Sequence, residues 1–405
     1  MHSFSLKIAA VIGFVLCAAA LGDSAEPRVF TANGKLLTEV KAKIQAGDNQ
    51  FDGPLASLKK EADEALKAKN YSVMEKPVPP ASGDMHDYMT LAPYWWPDPS
   101  KPDGLPFIRR DGEVNPEREK FDHNPFEQMS KNVNTLALAY YFSGDEQYAQ
   151  KAVEQIHVWF FDDATKMNPS LKYSQIVRGR ESELKPSGVL EGDRLRRVID
   201  ADGLLTGSKA WTSTDHEKFV AWMKQYYEWV NTAEMAKLEA VQPNNHGTWY
   251  AAQTATFALY LGDEAGARKW CEHGKELIMS QIEPEGSQPH ELQRTKAWDY
   301  SRYNILAHIQ LASIGERVGV DLWNHQTPDG RSLRKAIEWM IPYSNGEKTW
   351  TYQQIEKPKL ADMFIVLRRA AYAYHEPRYE AEAQRVQQAD PENSRFNLLF
   401  PKPSF

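Results

Sequence analysis

Two short segments, some fifty residues apart, carry the side chains best suited to chemistry. Asn244-Asn245-His246 opens a helical stretch, and Arg294 and Tyr300 lie in the second segment. An amide and a guanidinium can donate hydrogen bonds to a carboxylate, while an imidazole and a phenol can accept or release a proton. Because Asn-Asn-His alone is also typical of a helix N-cap, a functional interpretation requires the two segments to meet in space.

The chemistry of these residues supports either elimination or hydrolysis in an anionic cleft. An elimination would remove a proton from a carbon next to a carboxylate. Such a carbon acid is very weak while the carboxylate keeps its full charge, so hydrogen-bond donors to the carboxylate oxygens lower the barrier. We expect Asn245 to be the main donor, with Arg294 or His246 assisting. A cation beside a phenol favours the phenolate, and Arg294 is therefore expected to leave Tyr300 partly ionised.

Helical periodicity dominates the elements that must position these residues. A helix, a tight turn and a returning helix recur at 133–161 and 251–282, with a looser copy at 368–386. Strand signals are limited to short runs such as 107–109, which suggest a small hairpin at most. The pattern predicts an all-α fold, an (α/α) toroid or barrel of about six or seven helical hairpins, with an open solenoid as the competing architecture. Further helices are predicted at 55–68, 216–238, 303–318 and 333–341.

The amino-terminal residues are typical of an exported protein. An apolar run from Ile8 to Leu21, followed by small residues, predicts a signal peptide over 1–25, with an uncleaved anchor as the alternative. Residues 26–405 are then expected to form a single (α/α)-barrel domain, periplasmic or secreted and without membrane association after cleavage. Only Cys271 would remain, which excludes an intrachain disulfide and a cysteine-based metal site.

Charge and motif content narrow the class of partner. The net charge of −7 argues against nucleic acid, and a polyanionic partner would require a locally basic groove. The sequence has no His-Glu-x-x-His pair and no glycine-rich phosphate loop, so neither a metal nor another cofactor is expected.

Four loops at 85–106, 168–192, 242–248 and 283–289 are expected to converge at one rim of the barrel. Tyr94, Trp95 and Trp96 suit a stacking platform for sugar rings, although a hydrophobic plug would use the same residues. An arginine group at 194–197 is interpreted as a solvated helix face. Further candidates for binding a substrate are Asn244, Trp249, Gln175, Arg178 and Arg180.

The order and spacing of these motifs resemble the alginate-lyase-like polysaccharide lyases, family 38 and more distantly family 5. The resemblance rests on Asn244-Asn245-His246, on Glu291-Leu292-Gln293-Arg294 followed by Tyr300, and on Met167-Asn168-Pro169 followed by Tyr173-Ser174-Gln175. It extends over about 85–320. It implies an exported lyase that cleaves a uronic-acid polymer, either alginate, especially its mannuronate blocks, or glucuronan. Asn245 and Arg294 would neutralise the C5 carboxylate, with Tyr300 and His246 as base and acid.

The stereochemistry of the sugar would decide how the last two residues divide their roles. In mannuronate the C5 hydrogen and O4 lie on the same ring face, so Tyr300 could act as both base and acid. Where the two lie on opposite faces, His246 would be the base and Tyr300 the acid.

Two alternatives belong to other functional classes. A glycoside hydrolase on the same barrel would pair Asp87 or Asp98 with Glu291. A non-catalytic periplasmic polysaccharide-binding protein would keep Trp95, Trp96 and Arg294 without needing His246 or Tyr300.

Overall fold

Helices dominate the computed structural model, which describes residues 26–386 and 389–405. The predicted signal peptide at 1–25 therefore lies outside the described residues. No helix within the described ranges combines the length and apolar character needed to cross a membrane. The helices are α1 (Gly34–Gln45), α2 (Asp52–Leu66), α3 (His123–Ser143), α4 (Glu146–Ile156), α5 (Leu195–Leu204), α6 (Ser213–Thr232), α7 (Glu234–Ala240), α8 (Asn245–Tyr260), α9 (Glu264–Gln281), α10 (Pro289–Leu292), α11 (Ala297–Val318), α12 (Leu333–Ser344), α13 (Met363–Tyr374) and α14 (Pro377–Arg385).

Tight turns with a common chemistry join the paired helices. Gly144 ends α3 with φ of 72°, and the side chain of Asp145 then accepts the backbone N–H of Gln147 to begin α4. Gly262 and Asp263 repeat this arrangement between α8 and α9. A left-handed residue ends one helix, and an N-cap carboxylate at once begins the next. The repeated helical hairpins predicted from the sequence are thereby confirmed.

The hairpins form two layers, as expected of an (α/α) toroid. Nearly every residue of α8 is buried, whereas its partner α9 buries one face that includes Ala267, Cys271 and Leu277. An inner helix packed on all sides and an outer amphipathic helix account for this difference. The all-α (α/α) toroid is thus confirmed. The single helix predicted at 216–238 is wrong, because the extended backbone of Ala233 (ψ of 138°) separates α6 from α7.

Two small sheets hold the loops at one rim. Strand β1 (Met89–Leu91) pairs in parallel with β4 (Tyr173–Ile176), and β2 (Trp95–Trp96) pairs antiparallel with β3 (Ile108–Arg109). The small hairpin suggested at 107–109 is confirmed, while the β1–β4 pairing between distant loops was not anticipated. Helices α8 and α11 both start at this rim, which places their first residues beside the sheets.

Arg368 provides a test of how the last segment of the chain is held. Its guanidinium is 1% exposed, pairs with Glu380 at 2.6 Å, and donates to Asn397 and to the carbonyl of Phe400. We predict that Arg368→Ala lowers the free energy of unfolding by about 3–5 kcal/mol, because Glu380 keeps a buried, unpaired charge. Urea denaturation measures this.

The matched control is Arg385→Ala, which removes an exposed arginine paired with Glu347 and Glu382. Such surface pairs contribute little. Equal effects of the two substitutions would contradict the role given to Arg368.

Candidate active site

A cleft of about 550 Å³ opens at the rim where α8 and α11 begin. Its lining includes Asn245, His246, Arg294 and Tyr300, so the two segments singled out in the sequence do meet. Despite the net charge of −7, the lining holds five arginine or lysine side chains and one carboxylate, that of Glu191. The locally basic groove that a polyanion requires is therefore present in the described part of the chain. The five cations are Arg109, Arg118, Lys185, Arg194 and Arg294.

Asn245, the first residue of α8, is fixed by a buried carboxylate. Glu291 of α10 accepts both the backbone N–H and the side-chain Nδ2 of Asn245, each at 2.7 Å. Burial raises the pKa of Glu291, although the two hydrogen bonds from Asn245 oppose this shift. An amide nitrogen carries two hydrogens, so one N–H of Asn245 remains for a ligand in the cleft.

Gln281 supports the start of α8 from behind. Its Nε2 donates to the carbonyl of Asn244 at 3.0 Å, and its Oε1 accepts from Thr248 at 2.8 Å and from Asn304 at 2.9 Å. One buried amide thus joins α8, α9 and α11. Because Asn304 is one turn beyond Tyr300, this contact also fixes the distance between the two helix starts.

His246 is oriented by a second buried acid. Its Nδ1 lies 2.7 Å from Oε1 of Glu239, which is 1% exposed at the end of α7. Donation from Nδ1 to a carboxylate leaves Nε2 as the free ring nitrogen. The ring therefore presents a hydrogen-bond acceptor to the cleft.

Arg294 stacks on Tyr300 and is clamped from the β2–β3 hairpin. Its guanidinium carbon lies 3.7 Å from the centre of the Tyr300 ring, while Nε and Nη2 donate to Asp111 at 3.1 and 2.8 Å. Burial tends to raise the pKa of Asp111, but the bonds from Arg294 and Thr295 outweigh it and lower the pKa to about 2. Nη1 has no hydrogen-bond partner within the described ranges and remains for a ligand.

The phenol of Tyr300 shares a 2.7 Å hydrogen bond with the phenol of Tyr94. Burial raises the pKa of Tyr300, Tyr94 raises it further, and Arg294 only partly offsets the two. The expectation that Arg294 leaves Tyr300 partly ionised is therefore wrong for the free protein. Desolvation of the anion outweighs the neighbouring cation, so the phenol keeps its proton.

The opposite wall contains a cluster that sequence reasoning missed. His123 Nδ1 accepts from Arg118 at 2.6 Å and from Arg194 at 3.0 Å, and Glu191 accepts the phenol of Tyr88 at 2.5 Å. Burial would raise the pKa of Glu191, but the charges of Arg194 and Arg118 hold it well below its usual range. This wall presents fixed positive charge to the cleft.

The arginines at 194–197 correct an interpretation made from the sequence. Arg194 lines the cleft, and Arg196 is 8% exposed with its guanidinium over the ring of Trp249. The solvated face predicted for these residues is wrong for both, because Arg194 faces the cleft just before α5 and Arg196 lies on α5, an inner helix whose residues are almost all buried. Only Arg197 is substantially exposed.

Other binding candidates divide between the cleft and its surroundings. Gln175 lines the cleft with an unusual φ of 54°, and Trp95 lines it beneath Arg180 and Lys185, each 5.5 Å from its ring centre. A non-glycine residue with positive φ often marks a functional position. Five predicted binding residues lie outside the lining: Asn244, the N-cap of α8; Trp96, bonded to the carbonyl of Glu113; Arg178, paired with Glu117; Arg180, over Trp95; and Trp249, buried beside Tyr303.

Most of the residues that could not be identified from the sequence orient a catalytic side chain instead of facing a ligand themselves. Glu239 and Asp111 are acids that orient His246 and Arg294, and Tyr303 lines the cleft one turn after Tyr300. Seven residues separate Glu239 from His246, a spacing that spans a helix break and carries no motif. The spacing of Tyr303 from Tyr300 was the signal available for that residue.

The carboxylate pair of the hydrolase alternative is not assembled. Asp87 bonds to Ser82 and Asn168, and Asp98 bonds to Ser100 at the hairpin, so neither lines the cleft. Glu291 lies buried behind Asn245. No group of three or more His, Cys, Asp or Glu in the described ranges is arranged to hold a metal ion.

Comparisons with known proteins show similarity to alginate lyases. The sequence model of the family described as "Alginate lyase" matches residues 72–350. The crystal structure of an alginate lyase from Bacteroides ovatus is 40% identical, with a TM-score of 0.88 over 92% of this chain and 99% of that one. Alginate lyase A1-III from Sphingomonas species A1 shares the fold at 17% identity, with a TM-score of 0.57 over 91% of this chain and 95% of that one. A search of curated proteins finds no match.

The raised pKa of Tyr300 can be tested by titration. Burial disfavours the charged form, which for a phenol is the deprotonated one, so the proton should be retained above the usual value of about 10. We predict that the absorbance difference between wild type and Tyr300→Phe shows no phenolate below about pH 10. The unfolded proteins should show one phenolate near that value. A folded-state midpoint clearly below about pH 10 would show that burial does not raise the pKa of Tyr300.

Proposed function

Because the chain belongs to the alginate lyase family and is a polysaccharide lyase, we propose that it cleaves a uronic-acid polymer by β-elimination in this cleft. We propose alginate, especially its mannuronate blocks, as the substrate class, with glucuronan as the other candidate. The observation that carries the proposal is that Asn245, His246, Arg294 and Tyr300 converge in one cation-rich cleft. Two variants of alginate lyase A1-III have been solved in complex with a tetrasaccharide, which is consistent with a saccharide ligand for this fold.

Neutralisation of the C5 carboxylate is the first requirement. The free N–H of Asn245 and Nη1 of Arg294 are the donors we assign to its two oxygens. Their other polar atoms are already held by Glu291 and Asp111, so the donors need little reorientation as negative charge develops.

Proton transfer is the second requirement. The C5–H bond breaks, its electron pair forms the C4=C5 double bond, and the C4–O4 bond breaks with O4 receiving a proton. The free Nε2 of His246 suits the base where the C5 hydrogen and O4 lie on opposite ring faces. Tyr300, protonated in the free protein, suits the acid.

Mannuronate requires a different division of roles, because one residue must serve the same ring face. Tyr300 would then lose its proton before it acts as base, and Tyr94, at 2.7 Å, offers a path for that proton. Such a step becomes easier as pH rises, since the phenolate fraction grows tenfold per pH unit below the pKa.

Export also belongs to the proposal. The predicted signal peptide at 1–25 and the polymeric substrate support a periplasmic or secreted enzyme, because an anionic polysaccharide of high molecular mass does not cross a membrane unaided. The anionic polymer is the expected partner, with neither nucleic acid nor membrane as a target.

A polymer assay tests the activity. The mature protein is incubated with polymannuronate, polyguluronate and glucuronan, and both the ultraviolet absorbance of the unsaturated product and the new reducing ends are followed. We predict that the two signals rise together on at least one polymer and that Tyr300→Phe abolishes both. New reducing ends without absorbance would indicate hydrolysis, and the absence of both signals would indicate a binding protein.

Adjacent asparagines provide a matched pair for testing carboxylate neutralisation. Asn245→Ala should lower kcat about 10²–10³-fold with a smaller change in KM, because its amide acts mainly in the transition state. Asn244→Ser is the control, since serine preserves the N-cap bond to the backbone of His246. Near wild-type turnover of Asn245→Ala would contradict the assignment, as would equal damage from Asn244→Ser.

A further inference from the structure

A second cavity, of about 490 Å³, lies near the other end of α11. It is enclosed by the start of α1, the last turns of α11, and α13, with Phe400 from the carboxyl-terminal segment. Ser313, which lines it, follows Tyr300 by thirteen residues of one helix, or about 20 Å. The cavity is therefore separate from the catalytic cleft.

Arg369 is a buried cation, and the charge of Glu316, which lines the same cavity, acts on it without forming a salt bridge within the described residues. Its side chain lines the cavity, the residue is 9% exposed, and Nη2 donates to Ser313 Oγ at 2.6 Å. No carboxylate within the described ranges pairs with it. Burial lowers its pKa to about 10, so it remains charged at neutral pH. A buried charge is costly unless paired, and an anion in the cavity would supply the partner.

Further positive charge surrounds Arg369. Arg317 bonds to the carbonyl of Ala32 at 3.5 Å and forms no ion pair within the described ranges. The amino terminus of α1 also faces the cavity, carries Lys35, and has no acidic residue in its first turn. The positive end of that helix adds to the field. The carboxylates of Glu39 and Glu316 line the same cavity. They are suited to accept hydrogen bonds from the hydroxyl groups of a ligand.

Aromatic rings complete the lining. Trp323, Tyr372 and Phe400 all contribute, and the Arg369 guanidinium lies 5.2 Å from the centre of the Phe400 ring. Flat rings pack against the apolar faces of pyranoses, whereas a simple inorganic anion has no apolar face to pack against them. Two guanidiniums, aromatic rings and carboxylate acceptors together match the groups of a sugar that bears a carboxylate.

We propose that this cavity is a second saccharide site, which binds a sugar bearing a carboxylate. Arg369 and Arg317 hold the carboxylate, and the aromatic rings hold the pyranose. The site does not depend on the reaction in the cleft. Occupied by one part of a polymer, it would raise the effective concentration of the rest near the catalytic rim.

The test measures binding of sodium D-glucuronate, which has no glycosidic bond to cleave, by calorimetry. The starting protein carries Arg294→Ala, so that a carboxylate donor is lost from the catalytic cleft while the cavity is unchanged. We expect glucuronate to bind this protein, glucose not to bind, and acetate to bind at least tenfold more weakly. Glucose binding as tightly as glucuronate would overturn carboxylate recognition, and acetate binding as tightly would overturn the sugar component.

Added to that background, Arg317→Gln should weaken glucuronate binding tenfold or more, since it removes a charge-assisted bond at an exposed residue. Arg385→Gln, also exposed and remote from the cavity, should have no effect.

A glucuronate soak of crystals should place the sugar beside Arg369, which avoids dependence on a buried substitution. Unchanged affinity in Arg317→Gln, or density for glucuronate elsewhere only, would overturn the proposal. Lyase activity is read separately in the unmodified protein, so either result leaves the other intact.

Discussion

The double hydrogen bond between Glu291 and Asn245 is the contact on which the rest of the site depends. It joins the short helix before α11 to the first residue of α8, so the two catalytic segments cannot move independently. Because the carboxylate is buried, loss of its partners would leave a desolvated charge, and the geometry is strongly specified. Arg294 follows Glu291 by three residues and inherits its position from the same contact.

Charge in the cleft is arranged by acids that stand behind the cations. Asp111 holds Arg294, and Glu127 holds Arg194 and Arg197, so the guanidiniums are fixed before any ligand arrives. A chain of net charge −7 can attract a polyanion in this way, because its positive side chains line one rim. Burial in the same cleft also keeps Tyr300 protonated.

The sequence predicted those features that depend on residues close together within one helix, turn or motif. Helical spacing with Gly144-Asp145 and Gly262-Asp263 turns predicted the hairpins, and Asn-Asn-His with Arg294 and Tyr300 predicted the centre of the cleft. The pairing of β1 with β4 joins distant loops and left no such signal, and the contact of Glu239 with His246 spans a helix break that carries no motif. Burial was equally invisible: it reversed the expected shift of the Tyr300 pKa and converted Arg194 from a surface residue to a wall of the cleft.

A crystal structure of Tyr300→Phe with a saturated uronate oligosaccharide would show directly whether Asn245 and Arg294 bind the sugar carboxylate. Four groups already converge without a ligand, so the bound position of one sugar carboxylate decides whether they form an elimination site. We expect this carboxylate to lie within hydrogen-bonding distance of Asn245 Nδ2 and Arg294 Nη1. We also expect the adjacent C5 hydrogen to face His246 or the ring at position 300. An oligosaccharide bound with its carboxylates directed away from Asn245 would contradict it.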